Sequence, residues 1–219
     1  MKSIIIFLDG LAPLIPIFYI LKFKKKGVLK ELIFLFVFLV LQFIFNTIAN
    51  VLSYYPFSNY FVYHIGLPVS FLALLFFLNG SRGIIYYSKI QFIIGLCLFF
   101  IFILNSLFFE KIITFNSISY SLCSLYILTV CMKYFWLKAN TNGTNEILKE
   151  PYFWFISSFF IYYCSSFIAF SSYHYFIKYN DQSAGIVWRF HNVMFLVMCI
   201  LISKGVKLKH LCQAKSFFL

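Results

Sequence analysis

The chain has 219 residues, is 63% hydrophobic and only 11% charged, and carries a formal net charge of +12, whereas an ordinary water-soluble domain is about a quarter charged. Its cations flank long apolar runs instead of forming an exposed basic face, so the charge reads as membrane topology and no nucleic-acid partner is expected. The runs are continuously apolar and do not alternate, which excludes a transmembrane barrel.

A hydrocarbon core about 30 Å thick requires roughly 20 apolar residues per crossing helix. Seven stretches meet this, at approximately 3–22, 32–53, 60–79, 84–109, 112–136, 152–176 and 185–204. They occupy nearly all of residues 1–219, so the expectation is one all-α integral membrane domain, a seven-transmembrane-helix bundle.

The first run contains Asp9 and Pro13, and its charge cluster (Lys22, Lys24, Lys25, Lys26, Lys30) follows it. A signal peptide carries its charges ahead of the apolar stretch, so an uncleaved first helix is expected. The cluster also suits anionic lipid headgroups, at about 1 kcal/mol per cation. On the second run Gln42, Asn46 and Asn50 recur every four residues and form one polar stripe. The third run carries His64 four residues before Pro68. Proline has no N–H, so Pro13 leaves the carbonyl of Asp9, and Pro68 that of His64, without a helical partner.

Asn105 closes the fourth run and Asn116 opens the fifth. The following connection, 138–150, is too short to fold alone. Its sequon Asn142-Gly143-Thr144 falls on the basic side of the topology and is expected to stay unmodified. The sixth run carries Ser165, Ser166, Ser171, Ser172 and His174, and the seventh begins with Arg189, His191 and Asn192. Five of the six cysteines fall inside apolar runs and none forms a C-x-x-C pair, so neither disulfides nor a zinc–thiolate site is expected.

Of the 18 cations, Lys22, Lys24, Lys25, Lys26, Lys30, Arg82, Lys89, Lys133, Lys138, Lys149, Lys204, Lys207, Lys209 and Lys215 share one end of the runs. Lys2, Lys111, Lys178 and Arg189 take the other. Basic connections stay cytoplasmic. The orientation expected is therefore N-terminus outside and C-terminus in the cytoplasm, in the cell (inner) membrane. Tyr54, Tyr55, Tyr60, Tyr173, Tyr175 and Tyr179 border the outer face, and Tyr134, Trp136, Tyr152 and Trp154 the inner, as interfacial aromatics do.

In this orientation the polar side chains inside the runs gather in the outer half. Polar groups in hydrocarbon are costly and mark function, and freed carbonyls are tolerated only against protein or water. An outward-facing pocket is expected, with Asp9, Asn46, Asn50, His64, Asn116, Arg189, His191 and Asn192 as candidate ligand-binding residues. Each has a plainer reading. The Gln42/Asn46/Asn50 stripe can join helices, Arg189 and His174 can reach the headgroups, and Asn105 and Asn116 can cap helix ends. If the first and last helices are neighbours, Asp9 is expected to pair with Arg189.

Three functional classes follow. A sensory or receptor-like module would take a small ligand or lipid in the outer pocket and signal to a separate partner. A transporter would place substrate near the midplane, but the stretches Phe71–Leu78 and Leu196–Ile202 are nearly free of polar residues. An intramembrane metal hydrolase would use His64, His174 and His191 with Asp9, but each His stands alone, with no H-x-x-x-H or H-E-x-x-H spacing. No catalytic residue, metal ligand or cofactor is assigned. A retinal photoreceptor is set aside because Lys204 lies at the inner end of the last run.

Four stretches carry a resemblance. They are Tyr63–Phe71, Asn105–Phe108 with Phe115–Ser117, Pro151–Trp154 with Tyr162–Ser166, and Trp188–Asn192. Together they resemble an uncharacterised family of bacterial seven-helix membrane proteins often encoded near sensor histidine kinases, and the seven-helix sensory regions fused to such kinases. The resemblance spans helices three to seven and implies a membrane signalling role. Unlike in the fused sensors, no kinase domain is expected after the seventh helix, so output is expected to pass through a separate sensor kinase or other membrane partner.

Overall fold

The computed structural model describes residues 10–23, 28–55, 58–80, 88–141, 147–173, 175–176 and 181–215. Asp9, Lys24–Lys26, Arg82, the sequon at 142–144, His174 and Tyr179 lie outside the described residues. The elements are α1 (Leu14–Lys22), α2 (Val28–Leu52), α3 (Tyr60–Gly80), α4 (Lys89–Leu104), α5 (Ser117–Thr141), α6 (Pro151–Ser171) and α7 (Asp181–Lys215). A π-helical turn, Asn105–Phe109, extends α4, and a short 3-10 turn, Ile147–Lys149, precedes α6. No strand occurs among the described residues.

Six of these helices are long and apolar enough to cross a membrane: 31–52, 60–80, 89–109, 117–140, 151–171 and 185–212. The protein is therefore a multi-pass membrane protein. The first expected helix is represented by the 9 residues of α1, too short by themselves to span. Residues 10–11 are helical, 12–13 form a turn, and the helix resumes at Leu14. That interruption sits where Pro13 cannot donate to a preceding carbonyl. Pro68, by contrast, lies inside an unbroken α3.

Consecutive helices pack against one another, and α1 also packs against α7, which closes the ring. α3 is the most buried span, while α4 leaves most of its surface to lipid. At the cation-rich end, Lys209 of α7 pairs with Glu31 of α2 and lies 2.7 Å from the hydroxyl of Tyr152 on α6. Lys204 stands 3.4 Å from the centre of the Trp154 ring and Lys207 4.4 Å from that of Tyr19. These contacts explain why α7 runs to Lys215 and does not stop near 204 as its hydropathy suggests. Behind this rim lies an apolar layer of wholly buried side chains, among them Leu74, Phe77, Phe159, Met198 and Ile202.

The fifth helix also differs from expectation, starting at Ser117 and not near 112. Residues 110–116 form an ordered loop whose Glu110 side chain folds back over the first turn of α5. Its carboxylate accepts from the backbone N–H of Ser117 at 3.0 Å and of Ile118 at 3.2 Å, and from the Ser117 hydroxyl at 2.9 Å. A carboxylate at a helix N-terminus satisfies orphan donors and complements the helix dipole.

Candidate ligand cavity

A cavity of about 380 Å³ lies in the cation-poor half of the bundle, enclosed by α2, α3, α5, α6 and α7. Its first wall is made of amides. Gln42, Asn46 and Asn50 fall on one face of α2 because residues four apart stack on a helix. At 1.5 Å per residue the stripe climbs about 12 Å. Asn192 of α7 and Asn59 of the α2–α3 loop complete this wall. The Asn59 amide donates to the Ala49 carbonyl at 3.0 Å, which folds the loop onto the end of α2.

The second wall is aromatic. Phe115, 1% exposed, is its hub, with ring centroids 5.4 Å from Tyr63, 5.2 Å from Tyr120, 5.0 Å from Phe170, 4.8 Å from Tyr173 and 5.2 Å from Trp188. Such offset and edge-on pairs are each worth roughly 0.5–1.5 kcal/mol beyond burial, so the wall is held by its own packing. His191 joins it, with Nδ1 3.2 Å from Ser166 Oγ and Nε2 3.3 Å from the Tyr162 hydroxyl.

Leu67, Ser70 and Phe71 form the floor, immediately above the apolar layer. Ser70 is unusual there. Ser106, Ser124, Ser166 and Ser203 each turn their hydroxyl back to the carbonyl four residues earlier, at 2.7–3.0 Å. The Ser70 hydroxyl is buried and has no hydrogen-bond partner among the described residues. Leaving such a group unpaired costs about 1–3 kcal/mol. Asn192, 8% exposed, likewise makes no hydrogen bond to another described residue, and it lines the cavity. Among the described residues lining the cavity there is no Asp, Glu, Lys or Arg.

The expected site residues separate into two groups. Asn46, Asn50, His191 and Asn192 border the cavity together. His64 and Asn116 do not; they belong to a polar cluster behind the aromatic wall. His64 Nε2 donates to the Thr114 carbonyl at 2.9 Å, since a carbonyl can only accept, and Nδ1 lies 2.9 Å from Ser106 Oγ. Asn116 is wholly buried and donates to Ser106 Oγ at 3.2 Å. The amide nitrogen of Asn105 lies 2.6 Å from Glu110 Oε2, 2.9 Å from Ser119 Oγ and 3.0 Å from Asn116 Oδ1. This cluster ties α3 to the π turn and to the start of α5, so these residues shape the aromatic wall without touching the cavity. Asn105 stands at the C-terminal end of α4, whereas the donors at the start of α5 are met by Glu110 and not by the Asn116 side chain.

Arg189 is half-buried and is not part of the cavity lining. Asp9 lies outside the described residues, although the proximity of α1 and α7 is present. Among the described residues no three His, Cys, Asp or Glu side chains come together as a metal-binding group. Sequence reasoning missed Ser70, Tyr63, Phe115 and Trp188 as lining residues. All four lie in the stretches that carry the resemblance, but aromatics are so frequent in this chain that nothing marked Tyr63, Phe115 and Trp188 as lining residues, and the isolation of Ser70 depends on its surroundings.

A smaller cavity of about 170 Å³ lies between the start of the chain and α2, bordered by Gly10, Leu11, Phe43, Thr47, Asn50, Val51 and Tyr54. Asn50 therefore stands between the two spaces. A Cβ at Gly10 would come within 3.0 Å of its amide nitrogen, so the close approach of α1 depends on that glycine.

The chain matches no protein-family model, no curated protein and no solved structure.

Proposed function

We propose that this protein is a receptor-like sensory module of a bacterial cell membrane. In this reading seven helices span the bilayer, with the N-terminus outside and the C-terminus in the cytoplasm. A small molecule or a lipid enters the cavity from the outer side. Its binding shifts the helices that form both walls, and the shift reaches a separate membrane or cytoplasmic partner such as a sensor kinase. The observation that supports this most is the asymmetry of the bundle. A polar cavity occupies the cation-poor half, and a packed apolar layer separates it from the lysine-rich end. A transporter needs a path to both sides, and that layer argues against one. The resemblance to kinase-associated seven-helix proteins points the same way.

The test requires no knowledge of the ligand. A spin label is placed on Cys212 near the end of α7, with the other exposed cysteines, Cys97 and Cys164, changed to Ser. The cavity is then filled from within by Asn46→Phe. A sensor predicts a change in label mobility at the far end of α7 in lipid nanodiscs, with the fold intact by circular dichroism. An unchanged spectrum would sink the sensory reading. Uptake of solutes into proteoliposomes that is abolished by Asn46→Phe would replace it with transport.

A further inference from the structure

We infer that the cavity takes an uncharged, sugar-like ligand, with hydroxyl or amide groups along one edge and an apolar face opposite. This inference rests on the ligand-cavity reading above and specifies its chemistry. The first reason is the absence of any charged side chain among the described lining residues. A buried ionic ligand would lack a counter-ion, which makes its transfer from water strongly unfavourable. The second is the nature of the polar wall. Gln42, Asn46 and Asn192 each offer both a donor and an acceptor, and none of the three is hydrogen-bonded to another described residue. An anion would use only the donors and a cation only the acceptors. Hydroxyl and amide groups use both.

The third reason is Ser70. Its residue is 97% buried and borders the cavity floor, and its hydroxyl has no partner among the described residues. A ligand hydroxyl reaching the floor would satisfy it. A cation held by aromatic faces is disfavoured by the ring geometry, because such a site needs faces converging on empty space. Here the rings converge on Phe115, which fills the centre. The aromatic wall instead supplies apolar contact for the unsubstituted face of a sugar ring. A volume of about 380 Å³ equals roughly a dozen waters, which accommodates one or two sugar rings. The same chemistry is carried by a free sugar and by the headgroup of a neutral glycolipid.

Trp188 in the cavity wall reports occupancy once Trp136→Phe and Trp154→Phe silence the other two tryptophans. The full chain is placed in phosphatidylglycerol/phosphatidylethanolamine nanodiscs. It is titrated with methyl β-glucoside and N-acetylglucosamine as free neutral probes, and with choline and inorganic phosphate as charged ones. A second set of nanodiscs contains digalactosyldiacylglycerol. The expected result is a saturable change in Trp188 emission with a free sugar or with the glycolipid, the arm that responds identifying the source. Asn192→Leu should weaken it at least tenfold and Ser70→Ala three- to tenfold, without lowering the thermal midpoint. A saturable response to choline or phosphate with the neutral probes silent would overturn the ligand class while leaving the cavity reading intact. Silence to every probe, or a sugar response unaffected by both substitutions, would also overturn it. The spin-label experiment on Cys212 decides the sensory reading separately.

Discussion

Individual side chains in the cation-poor half carry two kinds of work, and substitutions should separate them. His64 and Asn116 use their hydrogen-bonding groups on protein partners, whereas Asn46 and Asn192 line the cavity. His64→Ala should therefore lower stability by about 1 kcal/mol or more, the cost of leaving two partly buried partners unpaired, as measured by unfolding in detergent. Asn46→Leu should leave stability nearly unchanged and remove the Trp188 response. The opposite pattern would return His64 to the site. Glu110 offers a sharper case, since its carboxylate meets Asn105, Ser117 and Ile118 at once. Glu110→Ala is expected to cost about 2 kcal/mol or more, at the upper end for loss of a helix cap. Glu150→Ala breaks a single, partly buried pair with Lys138 and should cost less, about 1 kcal/mol. Equal effects of the two would refute the capping role. The candidates Asn46, Asn50, His191 and Asn192 were legible in sequence as polar residues in apolar runs. That His64 turns away from them was not, because a partner such as the Thr114 carbonyl is fifty residues distant and belongs to a loop.

Among the helices, α7 and α5 depart most from what hydropathy alone suggests. The C-terminal third of α7 is held by Lys204, Lys207 and Lys209 on three neighbouring helices, and it approaches α6 through Gly205. A Cβ there would lie 2.5 Å from Phe155 Cε1 and 3.0 Å from the Pro151 carbonyl oxygen. Alanine normally favours a helix over glycine by about 1 kcal/mol. Here overpacking against a wholly buried ring should outweigh that gain, so Gly205→Ala is expected to destabilise by about 1–3 kcal/mol. Adding Phe155→Leu should recover part of the loss, as read by a double-mutant cycle in detergent. A stabilised Gly205→Ala would show that α6 and α7 are less closely joined. α4 touches the bundle through Gly95, where a Cβ would meet Leu75 at 2.5 Å. Small residues at such crossings let backbones approach where lipid supplies no hydrophobic drive. Helix existence was legible from run length. The start of α5 at Ser117 was not, because Ile112 and Ile113 are apolar enough to extend the run and only the Glu110 carboxylate fixes where the helix begins.

For the molecule as a whole, the two ends differ in charge and in packing, and the proposed orientation rests on that charge difference. A cytosol-active reporter fused after Leu219 is expected to work and one fused after Tyr55 to fail. The reverse result would exchange outer and inner and place the cavity on the cytoplasmic side. The amino-acid sequence by itself determined that this is a helical, multi-pass membrane protein, because apolar run length is a local property that the bilayer thickness reads directly. It also determined that one end is rich in lysine and that polar side chains collect at the other. Only the tertiary structure decided which of those polar residues share a space. It separated the Gln42/Asn46/Asn50 stripe, His191 and Asn192, which line the cavity, from His64 and Asn116, which close a cluster behind its wall. It also drew Phe115, Trp188 and Ser70 into the lining. The physical reason is that depth along a helix is set by sequence position, whereas the direction a side chain faces is set by which helix packs beside it and by partners far along the chain.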